Sequence, residues 1–513
     1  MNDFPFLLVL LLLPLLAGLG LLAVPKDRLD LIRRGTLGVS LVVLVLCVLM
    51  TVAFEPTGAR FQFVQSYKWI PDFGVQFSLG ADGIALVMIL LIGVLVPVVI
   101  GASWNEGAEA GTGNSGSMRA FFAWLLVLES LMIGVFAATD IFLFYVFFEA
   151  MLVPMYFLIG SFGGPRRQYA ALKFFLYSLV GGLVMLASVI GLYVVSANEI
   201  GQGTFAFDAL RQISIDPDLQ KLLFLGFFIA FAIKAPLVPF HTWLPDAGAE
   251  APIGGAVLLV GVLDKVGTFG FLRYCLPLFP DASRAFAPAI LVLAVLGILY
   301  GALLAMGQTD MKRLVAYTSI AHFGFIALGV FAFTTQAGTG AVLYMVNHGI
   351  STGALFLIVG ILISRGRSRT ISDYGGVSSV TPVLAGAFLL AGLSALALPG
   401  TNSFVSEFLV LLGSFGPVPV FSILATVGII LAALYILLMY QRTMHGPIKP
   451  NTRGFKDLSK RELAYLSPLL ALIIVLGVYP KPLLDIITPA VNATMADVGA
   501  GRSSAQAENG GGG

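Results

Sequence analysis

Eight ionisable side chains stand with apolar sequence on both sides: Glu129, Glu149, Lys234, Asp264, Lys265, His322, His348 and Glu407. Carboxyl and ammonium groups change their proton affinity with burial and with the charge beside them, and an unperturbed His titrates near neutral pH. A Lys at the centre of a bilayer costs about 2.5–3.5 kcal/mol on insertion scales, so nothing in building a helix calls for one. Groups of this kind in apolar surroundings suit proton transfer. Each also has a plainer explanation: a Lys snorkelling from a helix end, a neutral Glu locking two helices, a core His with its hydrogen bonds met.

The spacing of these groups relative to prolines is informative. Lys234 is followed by Pro236 and Pro239, and Glu407 follows Pro399-Gly400 by two helical turns. Proline removes a backbone donor and clashes with the preceding turn. Carbonyls freed in mid-membrane are tolerated where they face protein or water, which supplies partners for a nearby charge. Glu149 lies in the run 144–156, just before Pro154. At about 4 Å and an effective dielectric near 20, a Glu–Lys pair interacts by roughly 4 kcal/mol, enough to switch a proton site when the pair opens or closes. Asp264 precedes Lys265, but neighbours on a helix point about 100° apart, so it can pair with Lys265 or face another helix. His241 and His445 lie nearer span ends and are not assigned to the proton path.

These groups need a frame, and the composition provides one. The chain has 513 residues, 58% hydrophobic and 11% charged, against about 25% charged in a soluble domain. That excludes a soluble enzyme, and the net charge of +2 gives no field to attract nucleic acid. Two cysteines, Cys47 and Cys275, are too few for an iron–sulfur cluster. No phosphate-binding glycine loop with Lys-Ser/Thr is present, and no His or Cys spacing suits haem or zinc.

The reading is an all-α polytopic membrane protein with about fourteen spans: 5–25, 32–54, 81–103, 119–137, 140–161, 169–197, 220–244, 250–277, 284–305, 310–333, 338–364, 378–412, 417–441 and 461–479. The two Pro-broken spans, seventh and twelfth, are five apart. An odd offset gives opposite insertion, the signature of inverted repeats around broken helices.

The expected organisation is 1–118 for the first three spans and their loops, 119–277 for one inverted five-helix repeat and 284–441 for the second. Residues 442–498 then form the fourteenth span and an amphipathic segment, and 499–513 a disordered tail. The loop 105–117 is expected to be flexible, and loops 55–79 and 198–219 to form small caps. One side collects 19 of the 29 Lys and Arg and the other 8, which puts the first side in the cytoplasm and both termini outside. The remaining two are Lys234 and Lys265.

Five stretches carry a resemblance: 140–156 (DIFLFYVFFEAMLVPMY), 234–246 (KAPLVPFHTWLPD), 310–324 (DMKRLVAYTSIAHFG), 347–357 (NHGISTGALFL) and 398–408 (LPGTNSFVSEF). They resemble the antiporter-like M subunit of bacterial respiratory complex I, NADH:quinone oxidoreductase, the mitochondrial subunit 4 type. The resemblance spans about the third to the thirteenth span. Mrp-type sodium/proton antiporter subunits and membrane-bound hydrogenase subunits share the wider superfamily and are the alternative reading. Sister subunits usually carry Lys in the twelfth span, whereas the M type carries Glu, as here at Glu407.

By position, the resemblance implies Glu149 and Lys234 as a coupled pair, Lys265 as central relay and Glu407 as terminal exchange site, with His322 and His348 between. It implies a proton-translocating subunit in the bacterial inner (plasma) membrane, among other complex I subunits and next to the L and N subunits. This chain would hold no redox cofactor; FMN, iron–sulfur clusters and quinone belong to partner subunits. Two positions depart from the family pattern. Gly248 replaces a common His two residues after Asp246, and Asp264 replaces an apolar residue before Lys265.

Overall fold

The computed structural model describes residues 4–105 and 118–499. The expected flexible loop and disordered tail fall, apart from their boundary residues, outside the described residues. The chain opens with α1 (Phe6–Leu21) and α2 (Leu29–Ala53), then a hairpin of β1 (Gln62–Ile70) and β2 (Val75–Ala81). There follow α3 (Gly83–Ala102), α4 (Met118–Ala137), α5 (Ile141–Ala150), α6 (Leu152–Phe162), α7 (Arg167–Ile200) and the short α8 (Phe207–Leu210). The middle holds α9 (Pro217–Lys234), α10 (Trp243–Glu250), α11 (Ile253–Leu258), α12 (Lys265–Gly270) and α13 (Leu276–Leu278). The second half holds α14 (Pro280–Met306), α15 (Met311–Phe331), α16 (Thr335–Gly366), α17 (Val377–Val380), α18 (Pro382–Ala395), α19 (Asn402–Phe415), α20 (Pro419–Met444), α21 (Lys460–Val478) and α22 (Lys481–Asp497).

Among the described residues, eleven helices are long and apolar enough to cross a membrane. Three of the expected spans correspond to shorter or interrupted pieces. Span 5–25 is α1, of 16 residues; span 220–244 is α9 with part of α10; span 378–412 is α18 with α19, of 14 residues each.

The hairpin is the departure from an all-helical reading. Gln62–Ile70 and Val75–Ala81 pair antiparallel with irregular register at both ends of β1, and only the second strand, from Val75 to Leu79, alternates apolar and polar residues in sequence. With the 198–219 loop the hairpin closes one end of the bundle: Thr139 N–H donates to Ser78 at 3.0 Å, and Ile141 N–H to Phe205 at 2.9 Å.

Both proline breaks are present. α9 stops at Lys234, and the Trp243 indole N–H donates to the Ile233 carbonyl at 2.8 Å, satisfying one group freed by the break. Between α18 and α19, Gly400 takes φ 94°, which suits glycine. The chain there lies against α21 so closely that a Cβ on Gly477 would sit 2.4 Å from the Gly400 carbonyl.

Two interruptions were not anticipated. Met151 separates α5 from α6 two residues after Glu149, because Pro154 cannot bond the carbonyl of Ala150. The eighth span contains two π-helical turns, Leu259–Leu263 and Phe271–Cys275, one on each side of α12 and Lys265. Such turns are rare and frequently mark functional sites.

Arg273, counted with the eight Lys and Arg of the outer side as a loop or span-end charge, is instead buried inside the eighth span. Arg273 lies in the second π turn, is 2% exposed and pairs with Asp82 at 2.7 Å. The Phe61 and Phe269 rings lie 4.8 Å from its guanidinium carbon. Breaking a buried pair by removing one partner costs about 3–5 kcal/mol, whereas replacing both partners by matched neutral groups costs far less. Arg273→Ala is therefore expected to lower the thermal stability of the purified assembly markedly, and Asp82→Asn/Arg273→Met to recover most of the loss in the same melt.

Candidate proton-transfer axis

Glu149, in the last turn of α5, is half-buried, and its carboxylate rests on α7 where Gly182 leaves room. A Cβ at Gly182 would lie 1.5 Å from Glu149 Oε1. Lys234, 1% exposed at the end of α9, sits with its Nζ 5.0 Å from the Phe148 ring centre and 5.5 Å from that of Phe174. Aromatic faces attract a cation without neutralising it. Glu149 and Asp264 act on Lys234 electrostatically, yet among the described residues neither the Lys234 ammonium nor Glu149 Oε1 has a hydrogen-bond partner. No hydrogen bond therefore locks the Lys234 ammonium to Glu149. Gly182→Val is expected to displace the Glu149 carboxylate and lower proton pumping while the assembly forms, as read by dye quenching in vesicles and by native gel.

α12 carries Lys265 against α9, because Gly267 allows contact: a Cβ there would sit 2.4 Å from the Phe231 carbonyl. Lys265 and Asp264 are both fully buried and ion-paired at 3.1 Å. Lys265 Nζ also bonds the Val260 carbonyl, in the first π turn, and approaches His348 Nδ1 at 2.6 Å. The π turn thus aims a carbonyl at the ammonium. Of the two orientations left open for Asp264, the fold shows the one paired with Lys265.

From His348 the line continues. Its Nε2 lies 3.2 Å from Ser319 Oγ, and its ring meets that of His322 edge-on at 5.1 Å between centroids. His322 Nε2 is 3.4 Å from the Tyr435 hydroxyl, and its ring is 5.8 Å from that of Tyr344. The Tyr344 hydroxyl donates to Glu407 Oε2 at 2.9 Å. Lys265, His348, His322, Tyr344 and Glu407 are all buried, on α12, α16, α15, α16 and α19.

Four of the six residues to which the resemblance gives a role in the proton path, Lys265, His348, His322 and Glu407, therefore fall on one contiguous line. Glu149 and Lys234 stand apart from that line, with Asp264, the ion-pair partner of Lys265, close enough to act on Lys234 electrostatically. Ser319, Tyr344 and Tyr435 were missed. Tyr344 had a signal: it stands four residues before His348, on the same helix face. Tyr435, on α20, had none. At the departure from the family pattern, Gly248 faces Ala316, and a Cβ would come within 3.2 Å of that methyl group.

Residues 138–433, from the approach to α5 into α20, match the family model described as NADH:quinone oxidoreductase/Mrp antiporter, transmembrane. NADH-quinone oxidoreductase subunit M of Mycobacterium tuberculosis is 48% identical over 97% of this chain and 95% of its own length. The chain belongs to the subunit M family of NADH-quinone oxidoreductase. NADH-ubiquinone oxidoreductase chain 4 of Marchantia polymorpha is 39% identical over 94% of this chain and 95% of its own. Among solved structures, a chain of respiratory complex I from Thermus thermophilus with bound NADH superposes with TM-score 0.87 at 32% identity, over 96% of this chain and 99% of that one. The matched segment of this subunit M family member contains Glu149, Lys234, Lys265, His322, Tyr344, His348 and Glu407, and ends two residues before Tyr435.

Proposed function

We propose that this chain is a proton-translocating subunit of the membrane arm of NADH:quinone oxidoreductase, and that Glu149, Lys234, Lys265, His348, His322 and Glu407 carry the proton. The observation that supports the reading most strongly is the buried line from Lys265 through His348 and His322 to Tyr344 and Glu407, in a chain of the subunit M family. Moving one charge against 100 mV takes about 2.3 kcal/mol. Opening or closing one buried Glu–Lys pair changes the energy by a few kcal/mol at an effective dielectric near 20, so one such event suffices to gate one proton.

In this reading Glu149 and Lys234 receive the driving signal, Lys265 passes charge to His348, and Glu407 exchanges the proton at the far end. The twelfth-span position holds Glu rather than the Lys of sister subunits. Residues 119–277 and 284–441 form inverted repeats within fourteen spans, and both termini lie outside the cytoplasm of a bacterial plasma membrane. The L and N subunits are the neighbours, and FMN, iron–sulfur clusters and quinone reside in other subunits. Co-purification with flavin and iron–sulfur proteins, with pumping driven by NADH oxidation, is the expected result. Isolation with membrane partners alone and sodium-dependent activity would replace this reading by an Mrp-type antiporter.

A further inference from the structure

α16 and α19 meet along a polar seam that extends past Glu407. On α16, residues 340, 344, 347 and 351 share one face at helical spacing. A Cβ at Gly340 would meet the backbone of Val410 at 2.7 Å, so the two helices approach closely at that end. Tyr344 reaches Glu407 on the next rung. Beyond it, Asn347 Nδ2 donates to the Asn402 carbonyl at 2.7 Å and to Ser406 Oγ at 3.2 Å. Asn402 Oδ1 accepts from Ser394 at 2.6 Å and from Ser351 at 3.1 Å, and Ser351 lies 2.6 Å from Ser394 and 3.2 Å from Ser403. None of these six residues is more than 2% exposed.

The cluster spans the helix break. Ser394 is in the last turn of α18 and Asn402 is the first residue of α19, so the Ser394–Asn402 bond ties the two halves together directly. Asn347 precedes His348, and Ser406 precedes Glu407. An amide is a poor proton carrier, since relaying a proton would take it through an imidic acid. Two carboxamides in the centre therefore make this cluster a clamp rather than a second wire. Buried hydrogen bonds with every partner met rigidify and specify one arrangement.

We propose that Asn402, held by Asn347, Ser351 and Ser394, is a positioning residue: it fixes the register of α19 on α16 so that the Tyr344 hydroxyl stays on Glu407. The proposal rests on the reading of Glu407 as the exchange site. A change at His348 then reaches Glu407 by two routes, through the rings of His322 and Tyr344 and through the seam that begins one residue away.

The test uses the purified assembly. The infrared band of the Glu407 carboxyl is identified by subtracting the Glu407→Gln spectrum, and Tyr344→Phe gives the displacement that follows loss of the donor. Asn402→Ala is expected to displace the band in the same direction and to lower pumping to the Tyr344→Phe level. The double variant is expected to add nothing, since non-additivity marks residues acting through one contact. An unmoved band in Asn402→Ala, or displacements that add, overturns the proposal. If Asn402→Ala fails to assemble, Ser351→Ala, which removes one hydroxyl at nearly constant shape, decides by the same comparison. Wild-type pumping in Glu407→Gln would defeat the exchange-site reading alone, because the band comparison judges the clamp independently.

Discussion

Replacing Lys234 by alanine is expected to lower NADH-driven proton pumping and coupled quinone reduction at least about tenfold, while the assembly still forms. The ammonium is buried between the Phe148 and Phe174 rings with no hydrogen-bond partner among the described residues, so its removal orphans no bonded group. What is lost is its field at Glu149 and Asp264. At an effective dielectric near 20, unit charges about 4–8 Å apart interact by about 2–4 kcal/mol. Each 1.36 kcal/mol is about a factor of ten in proton binding, so a loss of that size would disable the gate proposed at Glu149 and Lys234. Glu149→Ala removes the other partner and is expected to give the same phenotype. Native gels, NADH oxidation by an artificial acceptor and dye quenching in vesicles separate assembly, electron entry and pumping. Wild-type pumping in both assembled variants would favour a structural scaffold.

Lys265→Met should abolish pumping more completely, but for a compound reason. Lys265 holds Asp264 at 3.1 Å, the Val260 carbonyl and His348 Nδ1 at 2.6 Å, all in a fully buried setting. Removing it breaks the line and leaves Asp264 as an unpaired buried acid, at a cost of about 3–5 kcal/mol. The single variant is therefore expected to assemble poorly. Asp264→Asn/Lys265→Met removes both charges and is expected to restore assembly without restoring pumping. The split between the two readouts distinguishes relay from scaffold. A double variant that assembles and pumps normally would show that Lys265 only neutralises Asp264.

Much of the axis was legible because charges are costly in apolar sequence. Lys234, Lys265 and Glu407 stood out against a background with 11% charged residues, and Pro236, Pro239 and Pro399 marked the breaks beside two of them. The links between them were not legible. Tyr344 and Glu407 are 63 residues apart, and His348 and Lys265 are 83 apart, so only the packing of α16 on α12, α15 and α19 reveals their contact. The π turns around Lys265 have no composition of their own, and Arg273 reads as a span-end charge until Asp82 is found beside it. Tyr, Ser and Asn escaped notice for a simpler reason. They carry no charge, and their value as bridges depends on which neighbour they meet.

Protons are proposed to leave this chain's line of buried groups through Glu407. The most direct measurement is the number of protons moved per NADH oxidised by the assembled complex in sealed vesicles, comparing wild type with Glu407→Gln. Gln keeps the shape and can still accept from Tyr344, but it cannot take up and release a proton. A lower ratio of protons to NADH is expected, with NADH oxidation by an artificial acceptor unchanged. A wild-type ratio in the assembled variant would contradict it.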